Sequence, residues 1–375
     1  MDLTQRQGRI LAELKLHGSL SATDFAGRMG ISAMTVRRDL GELADRGMLR
    51  RVHGGAVPVD EAVRPERADV TAAGHRPPPR SSTVPAPAAK EPLFTFGFVV
   101  PDPGYYFPAI VDGAVERVQT MGGRLVLGIS DYDPERERAQ VQRMIERGVD
   151  GLLVTTSTND EFETFGQLVD SPVPVVVVER SLDDAVNAGA LDLVRTDHAA
   201  GAVVAIRLFA ELGHRRVGMV TFETPTMPHL RVGFDRAVRA FGLDDVDAVE
   251  VVDHRQGIRE QSVAYLERAL AAGVTAVFVH SDRYAVEFVE AVLAIGLSIP
   301  GDLSVIAYDD EVASLAAVPL TAVGPPKRDV GWVAVGMLFD RVSTTAERVL
   351  TSRHVTLRPN LVPRRSTGTP ASMFE

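Results

Sequence analysis

The side chains near the amino terminus that can do chemistry stand on one helical pattern. Ser32 can cap a helix that reaches Arg46, with Gly47 as its stop. At about 100° per residue, Val36, Leu40 and Leu43 fall on one face and face a core. Met34, Arg38, Gly41 and Asp45 fall opposite, with Thr35 and Arg37 on the flanks. Arginine reads guanine O6 and N7 bidentately or clamps phosphate, threonine can meet a thymine methyl, and Gly41 lets another backbone come close. Beyond the helix, Arg46, Arg50, Arg51 and His53 precede Gly54-Gly55, a strand and turn that can lie on a phosphate backbone as a wing. A charged helix alone reads as solvated surface. Cap, glycine turn, basic face and wing together point to nucleic acid.

Other chemistries find less support. Asp309-Asp310, or Asp131 with Asp133, has the makings of a glycosidase-like acid–base pair. Adjacent acidic residues more commonly serve structure, one capping a helix and the other lying in a loop. There is no cysteine, which removes thiolate and disulfide chemistry, and the nine histidines form no H-x-x-x-H or H-E-x-x-H pair, so a zinc site has little support. None of the three lysines, Lys15, Lys90 and Lys327, follows a glycine as in a phosphate-binding loop. No G-x-S-x-G elbow occurs, nor a G-x-G-x-x-G after a strand. The expectation is a protein with no catalytic residue, metal or cofactor.

The elements that must position these residues follow from composition and periodicity. The chain has 375 residues, 45% of them hydrophobic, and a net charge of −10. That suffices for two or three domains and argues against a protein coated with nucleic acid over its whole surface. Charge is uneven: residues 1–92 carry 14 basic and 11 acidic side chains, which leaves −13 for the remainder. Residues 1–57 read as a small head. There Ile10, Leu11 and Leu14 mark a first helix, and Ser21 caps a second over Ala22–Met29. Gly30 then turns the chain into the third, in helix-turn-helix geometry. Residues 58–92 hold eight prolines and almost no large apolar side chain, and read as a semi-rigid linker. From Phe94, apolar runs alternate with helix-length amphipathic stretches: Phe94–Val100, Arg124–Ser130, Gly151–Thr155, Val173–Val178, Val217–Phe222, Val249–Val252, Ala276–His280 and Ser304–Tyr308. Such runs predict parallel strands buried on both faces, in an α/β body of two similar lobes over 93–368 followed by a short tail, 369–375. Ligands of such sheets sit beyond the carboxyl ends of the strands, so the loops after those runs, facing across a cleft, are where a site is expected. No run reaches the length of a membrane span, and the first six residues lack the apolar core of a signal peptide, which predicts a cytoplasmic protein.

The head carries Ser32-Ala33-Met34-Thr35-Val36-Arg37-Arg38-Asp39-Leu40, then Leu43, Gly47, Leu49 and Arg51-Val52-His53-Gly54-Gly55-Ala56. Over about residues 3–58 it resembles the DeoR-type winged helix-turn-helix, which implies binding to operator DNA. No match to the usual DeoR sugar-phosphate sensing domain follows it.

The body carries ordered stretches of another kind. They include Tyr105-Tyr106-Phe107, Asp131-Tyr132-Asp133-Pro134-Glu135, Arg147-Gly148-Val149-Asp150-Gly151, Leu212-Gly213-His214-Arg215-Arg216 and Arg231-Val232-Gly233-Phe234. Ile299-Pro300-Gly301-Asp302-Leu303-Ser304-Val305, Tyr308-Asp309-Asp310 and Leu361-Val362-Pro363-Arg364-Arg365 follow. Residues 94–367 resemble the ligand-binding domain of LacI-family repressors, which is similar to periplasmic sugar-binding proteins. The resemblance implies a cleft lined by Tyr105, Tyr106, Phe107, Asp131, Glu179, Arg180, Arg231, Ser281, Asp282 and Asp309. That set suits a polyol, with rings against the apolar face of a sugar and charged groups on vicinal hydroxyls. Arg231 matches a family residue that reaches the ligand; by its own pattern it also reads as a solvated arginine at a helix start. The chain departs from the family at Ser281-Asp282, where sugar-responsive members often carry Asn-Asp, and at Glu179 in place of Asp. The family's own helix-turn-helix and hinge helix are replaced by the Pro-rich linker.

Together these features predict a cytoplasmic, ligand-responsive transcriptional regulator, acting as a repressor of carbohydrate-metabolism genes. A homodimer is expected, because one small head makes few DNA contacts. The alternatives are an activator, a response to a nucleoside or purine, and a carbohydrate-acting enzyme.

Overall fold

A computed structural model describes residues 93–157, 167–181, 191–244, 246, 249–253, 257–344 and 351–370. Nearer the amino terminus it describes 7, 10, 11, 14, 20, 21, 25, 26, 33–46, 48–52 and 55–57. The expected linker at 58–92 and the tail after 370 lie outside the described residues. The chain divides into two units, Met1–Glu91 and Pro92–Glu375.

In the first unit Gln7, Ile10, Leu11 and Leu14 are helical, as are Phe25 and Ala26. A short strand β1 (Leu20–Ser21), helix α1 (Ala33–Asp45) and strands β2 (Arg50–Val52) and β3 (Gly55–Val57) complete it. The strands form an antiparallel sheet in the order β1-β3-β2. Ile10, Leu14, Leu20, Phe25, Val36, Leu40, Leu43, Leu49 and Ala56 make one core, so the α1 face chosen by periodicity is the buried one. The strand and turn after α1 are the hairpin β2–β3.

The second unit has two six-stranded sheets. The first contains β4 (Thr95–Val100), β5 (Arg124–Ile129), β6 (Gly151–Val154), β7 (Val175–Val178), β8 (Asp192–Thr196) and β14 (His354–Leu357), all parallel, in the order β14-β8-β7-β6-β4-β5. Helices α2 (Pro108–Thr120), α3 (Pro134–Glu146) and α8 (Lys327–Ser343) cover it. The second contains β9 (Val217–Phe222), β10 (Val249–Val252), β11 (Ala276–Val279), β12 (Ser304–Tyr308), β13 (Thr321–Gly324) and β15 (Asn360–Val362), in the order β10-β9-β11-β12-β13-β15 with β15 antiparallel. It is covered by α4 (His198–Glu211), α5 (Met227–Ala240), α6 (Ile258–Ala271) and α7 (Asp282–Ala294).

Central strands β6, β7, β11 and β12 are buried throughout, as continuous Val/Ile/Leu/Ala runs require when helices cover both faces. β8 escaped the run pattern because it carries charge. Asp192 is buried against Arg341 at 2.7 Å and Arg353 at 3.5 Å, a pairing between distant segments that no local pattern reveals. The chain crosses between the sheets from β8 to β9, from β13 into α8, and from β14 to β15. α8 lies directly on α2: a Cβ on Gly113 would stand 2.0 Å from the Arg328 carbonyl oxygen, and one on Gly331 would stand 1.9 Å from that of Ile110. No helix among the described residues is long and apolar enough to cross a membrane.

Candidate functional site

On α1, Val36, Leu40 and Leu43 are buried, Thr35 is half-buried and Arg38 is exposed, which places Arg38 opposite the core as helical spacing requires. Asp39 is also buried, on the side of α1 next to its apolar stripe. Met34 and Arg37 lie on the same helix and Arg51 on β2, but their side chains fall outside the described residues, as do Ser32 and His53 altogether.

In the second unit the carboxyl ends of both sheets border a cavity of about 700 Å³. Its walls are the residues that follow each strand: Asp102 and Tyr105–Phe107 after β4, Tyr132 after β5, Glu179 and Arg180 after β7, and His198 after β8. The second sheet contributes Phe222–Thr226 at the end of β9, His280, Ser281, Arg283 and Tyr284 after β11, and Asp309 after β12. Of the ten cleft residues expected, seven line this cavity: Tyr105, Tyr106, Phe107, Glu179, Arg180, Ser281 and Asp309.

Three do not. Asp131 and Tyr132 both take left-handed backbone angles, φ 54° and 58°, and it is Tyr132 that borders the cavity while Asp131 pairs with Arg136 in solvent. Arg231, in the second turn of α5, is exposed and its Nε donates to Asp235 Oδ1 at 2.9 Å, the i,i+4 pairing of a solvated helix face. Asp282 lies behind the wall. Its Oδ2 accepts from the backbone N–H groups of Val312 at 2.6 Å and Ala313 at 2.9 Å, and its Oδ1 accepts from the Tyr105 hydroxyl.

The wall is held by a buried polar network. Glu179 Oε1 accepts from the Thr196 hydroxyl at 2.6 Å, and its Oε2 lies 3.3 Å from both Thr196 N and His198 Nε2. His198 Nδ1 meets the Tyr308 hydroxyl at 2.7 Å. Burial works to raise the Glu179 carboxyl, but the His198 and Thr196 contacts outweigh it and hold it below the usual range. Arg180 donates from Nε to the Thr156 carbonyl at 2.6 Å and from Nη1 to the Glu179 carbonyl at 2.7 Å, which fixes its orientation.

Asp309 differs. Burial pushes its carboxyl up to about 7; Lys327 opposes that and the nearby Asp282 and Glu311 add to it. Its Oδ2 has the Tyr105 hydroxyl at 3.3 Å, while Lys327 donates to its backbone carbonyl and pairs with Glu311 at 2.6 Å. Burial also lowers the His280 imidazole to about 3, so the ring is neutral at neutral pH, and its Nδ1 shares a hydrogen bond with the Thr221 hydroxyl at 3.0 Å.

Residues outside the expected set, among them Tyr132, His198, Phe222, His280 and Tyr284, were reachable by the rule that ligands sit beyond strand ends. Of the acidic pairs weighed for hydrolysis, Asp133 caps α3 by accepting from Glu135 N at 2.8 Å, and Asp310 pairs with Arg364 at 2.6 Å. No group of three or more His, Cys, Asp or Glu among the described residues is placed to hold a metal ion.

Comparison with known proteins agrees with this architecture. Residues 6–62 match a DeoR-like helix-turn-helix domain, and residues 206–367 match a periplasmic binding protein-like domain. The arabinose metabolism transcriptional repressor of Geobacillus stearothermophilus is 26% identical over 92% of this chain and 90% of its own. The transcriptional repressor PurR of Klebsiella pneumoniae is 30% identical over 70% of this chain and 76% of its own. The solved structure of the transcription regulator CcpA of Lactococcus lactis shares the fold, with a TM-score of 0.61 at 24% identity over 73% of this chain and 99% of that one. A ligand-binding body of this topology that follows a helix-turn-helix head in the sequence makes the chain a member of the LacI family of transcriptional regulators, carrying a DeoR-like helix-turn-helix domain at its amino end.

Proposed function

We propose that this regulator is a repressor of carbohydrate-metabolism genes whose operator affinity changes when a carbohydrate occupies the cavity. The observation that carries the reading is the wall itself: the rings of Tyr105, Tyr106 and Tyr132 stand with the buried carboxylates of Glu179 and Asp309 around a space large enough for a small molecule. Rings cover the C–H faces of a sugar, and carboxylates accept its hydroxyl protons. The 26% identical relative is named as a repressor of arabinose metabolism, which favours carbohydrate metabolism as the regulated process here. The chain works in the cytoplasm as a homodimer on two half-sites, with Arg38 and its neighbours on α1 at the DNA. It turns over nothing: in each acidic pair that hydrolysis would need, one member is engaged in structure. Ligand acts by favouring one arrangement of the lobes, and its effect is bounded by its differential affinity for the two states.

Full-length protein incubated with sheared genomic DNA from its host, recovered and sequenced, with and without a sugar panel, tests this. Enrichment of a paired site that one sugar changes is expected, and Arg38→Ala should lose about 10-fold or more of that DNA affinity while keeping its sugar affinity. A site unaffected by any carbohydrate but altered by a nucleoside would overturn the carbohydrate assignment. Equal DNA affinity in the variant would remove α1 from the interface.

A further inference from the structure

The cavity is larger than one sugar ring needs, and its two ends differ in make-up. At about 30 Å³ for each water of the liquid, 700 Å³ holds about two dozen waters, more than a single pyranose displaces. The inner end is deeply buried: Glu179, His198 and Asp309 are all at most 8% exposed, and both carboxylates act on the hydroxyl of Tyr106, which lines the same cavity. The outer end has its own aromatic platform. Phe222 and Tyr284, both half-buried, meet with ring centroids 4.4 Å apart, and the buried His280 ring backs Phe222 from the interior at 5.0 Å and 9°. Around this platform the exposed side chains of Glu223, Arg283 and Glu287 face solvent.

An aromatic shelf at the wet mouth of a cleft whose inner end already has its own ring and acceptors has little to do for a one-ring ligand. It suits a second ring joined to the first. Charge narrows the class. Five carboxylates border the cavity, at Asp102, Glu179, Glu223, Glu287 and Asp309, against the guanidinium groups of Arg180 and Arg283. The Arg180 guanidinium gives two of its donors to backbone carbonyls, and that of Arg283 lies 5.1 Å over the Tyr105 ring. A phosphate or carboxylate on the ligand would meet an excess of like charge.

Resting on the carbohydrate reading above, we propose that the effector is an uncharged sugar of two linked rings, one held at the Tyr106, Glu179 and Asp309 end and the second stacked on the Phe222–Tyr284 platform.

Calorimetry on the full-length chain tests this with glucose, galactose, xylose and arabinose against cellobiose, maltose, lactose, xylobiose and arabinobiose, with glucose 6-phosphate as the charged probe. One disaccharide is expected to bind at least about 10-fold more tightly than its component monosaccharides, and glucose 6-phosphate not at all. Phe222→Ala and Tyr284→Ala should each remove most of that preference, and Phe222→Tyr, which keeps a ring in place, should retain it. A monosaccharide that binds as tightly as any disaccharide, alanine variants that weaken both alike, or preferential binding of the phosphate ester would overturn the two-ring assignment and leave the carbohydrate reading standing. Binding of no carbohydrate at all would overturn both.

Discussion

Glu179 and Asp309 occupy the same place in two copies of one topology. Each follows the last residue of the fourth strand of its lobe, β7 or β12, and each donates its backbone N–H to the adjoining strand, to Val194 O in one lobe and Val323 O in the other. Both take left-handed backbone angles, φ 55° and 94°, and both are 4% exposed. Their carboxyls are nevertheless driven in opposite directions, Glu179 below the usual range and Asp309 up to about 7. Burial is common to both; what differs is the set of groups around each carboxyl, the donors at Glu179 on one side and the like charges of Asp282 and Glu311 beside a single hydroxyl at Asp309 on the other. Two residues beyond Val194, Thr196 offers Glu179 both a hydroxyl and a backbone N–H, and His198 adds a third contact. Two residues beyond Val323 stands Pro325, which has neither a hydroxyl nor an N–H. The two positions are alike in backbone and burial and differ in solvation by the protein. Most of the acceptor capacity of Glu179 is taken up by the fold, and Asp309 retains more of its own for something that enters the cleft.

The largest consequence concerns ligand. Asp309→Ala should weaken binding of the best sugar by about 100-fold, the loss of charge-assisted hydrogen bonds worth about 2.7 kcal/mol. Glu179→Gln, which keeps an acceptor for the Thr196 hydroxyl, should change it by less than about 10-fold. Calorimetry on both variants decides the matter, and a reversed order would mean that Glu179, not Asp309, is the acceptor the ligand uses.

A second effect, smaller, is on stability and differs in sign between the two sites. Glu179→Gln removes a carboxylate that its partners hold in the charged form and should cost about 1–3 kcal/mol, read as a lower melting temperature at pH 7.5. Asp309→Asn removes an ill-solvated charge and should raise the melting temperature at pH 8. In the wild type, a folded value of about 7 against an ordinary value of 3.8 means that the native state keeps a proton the unfolded chain has released. Stability from this group therefore falls as pH rises from about 4 through 7, and the asparagine variant should lack that fall. Glu179 acts the other way, stabilising above its ordinary value of 4.5 and losing that contribution as pH drops through its lowered folded value. Equal slopes for wild type and Asp309→Asn between pH 5.5 and 8 would show that Asp309 is not the titrating group.

These contrasts also mark what could be read from the chain. The Val-rich runs specify central strands because a strand covered on both faces admits little but apolar side chains, and the rule that ligands gather beyond strand ends reaches nearly every residue of the cavity wall. Positional resemblance pointed to Tyr105, Tyr106, Glu179 and Asp309, which line the cavity, and also included Arg231, whose partner Asp235 lies one helical turn away, and Asp131, where a left-handed turn leaves Tyr132 at the cavity. Asp282 matched by position, but its carboxylate is taken up by two backbone N–H groups some thirty residues away, a contact no local pattern contains. The contrast between Thr196 and Pro325 was likewise invisible until strand register aligned the lobes.

The smallest effect tests the cause rather than the residue. If the missing donors at Pro325 keep the Asp309 carboxyl high, Pro325→Thr restores to the second lobe the hydroxyl and N–H that Thr196 gives the first. The Asp309 carboxyl should then titrate lower, and the fall in melting temperature with rising pH should shift to lower pH without vanishing, unlike the loss expected for Asp309→Asn. The residue before a proline is biased towards extended backbone, and Pro326 still follows, so threonine at 325 keeps a compatible conformation. Pro325→Ala restores the N–H without the hydroxyl and should fall between wild type and threonine. A graded series of midpoints, proline highest and threonine lowest, would attribute the difference between the lobes to donor count. An unchanged midpoint in both variants would move the cause to Asp282 and Glu311, whose charges also act on Asp309.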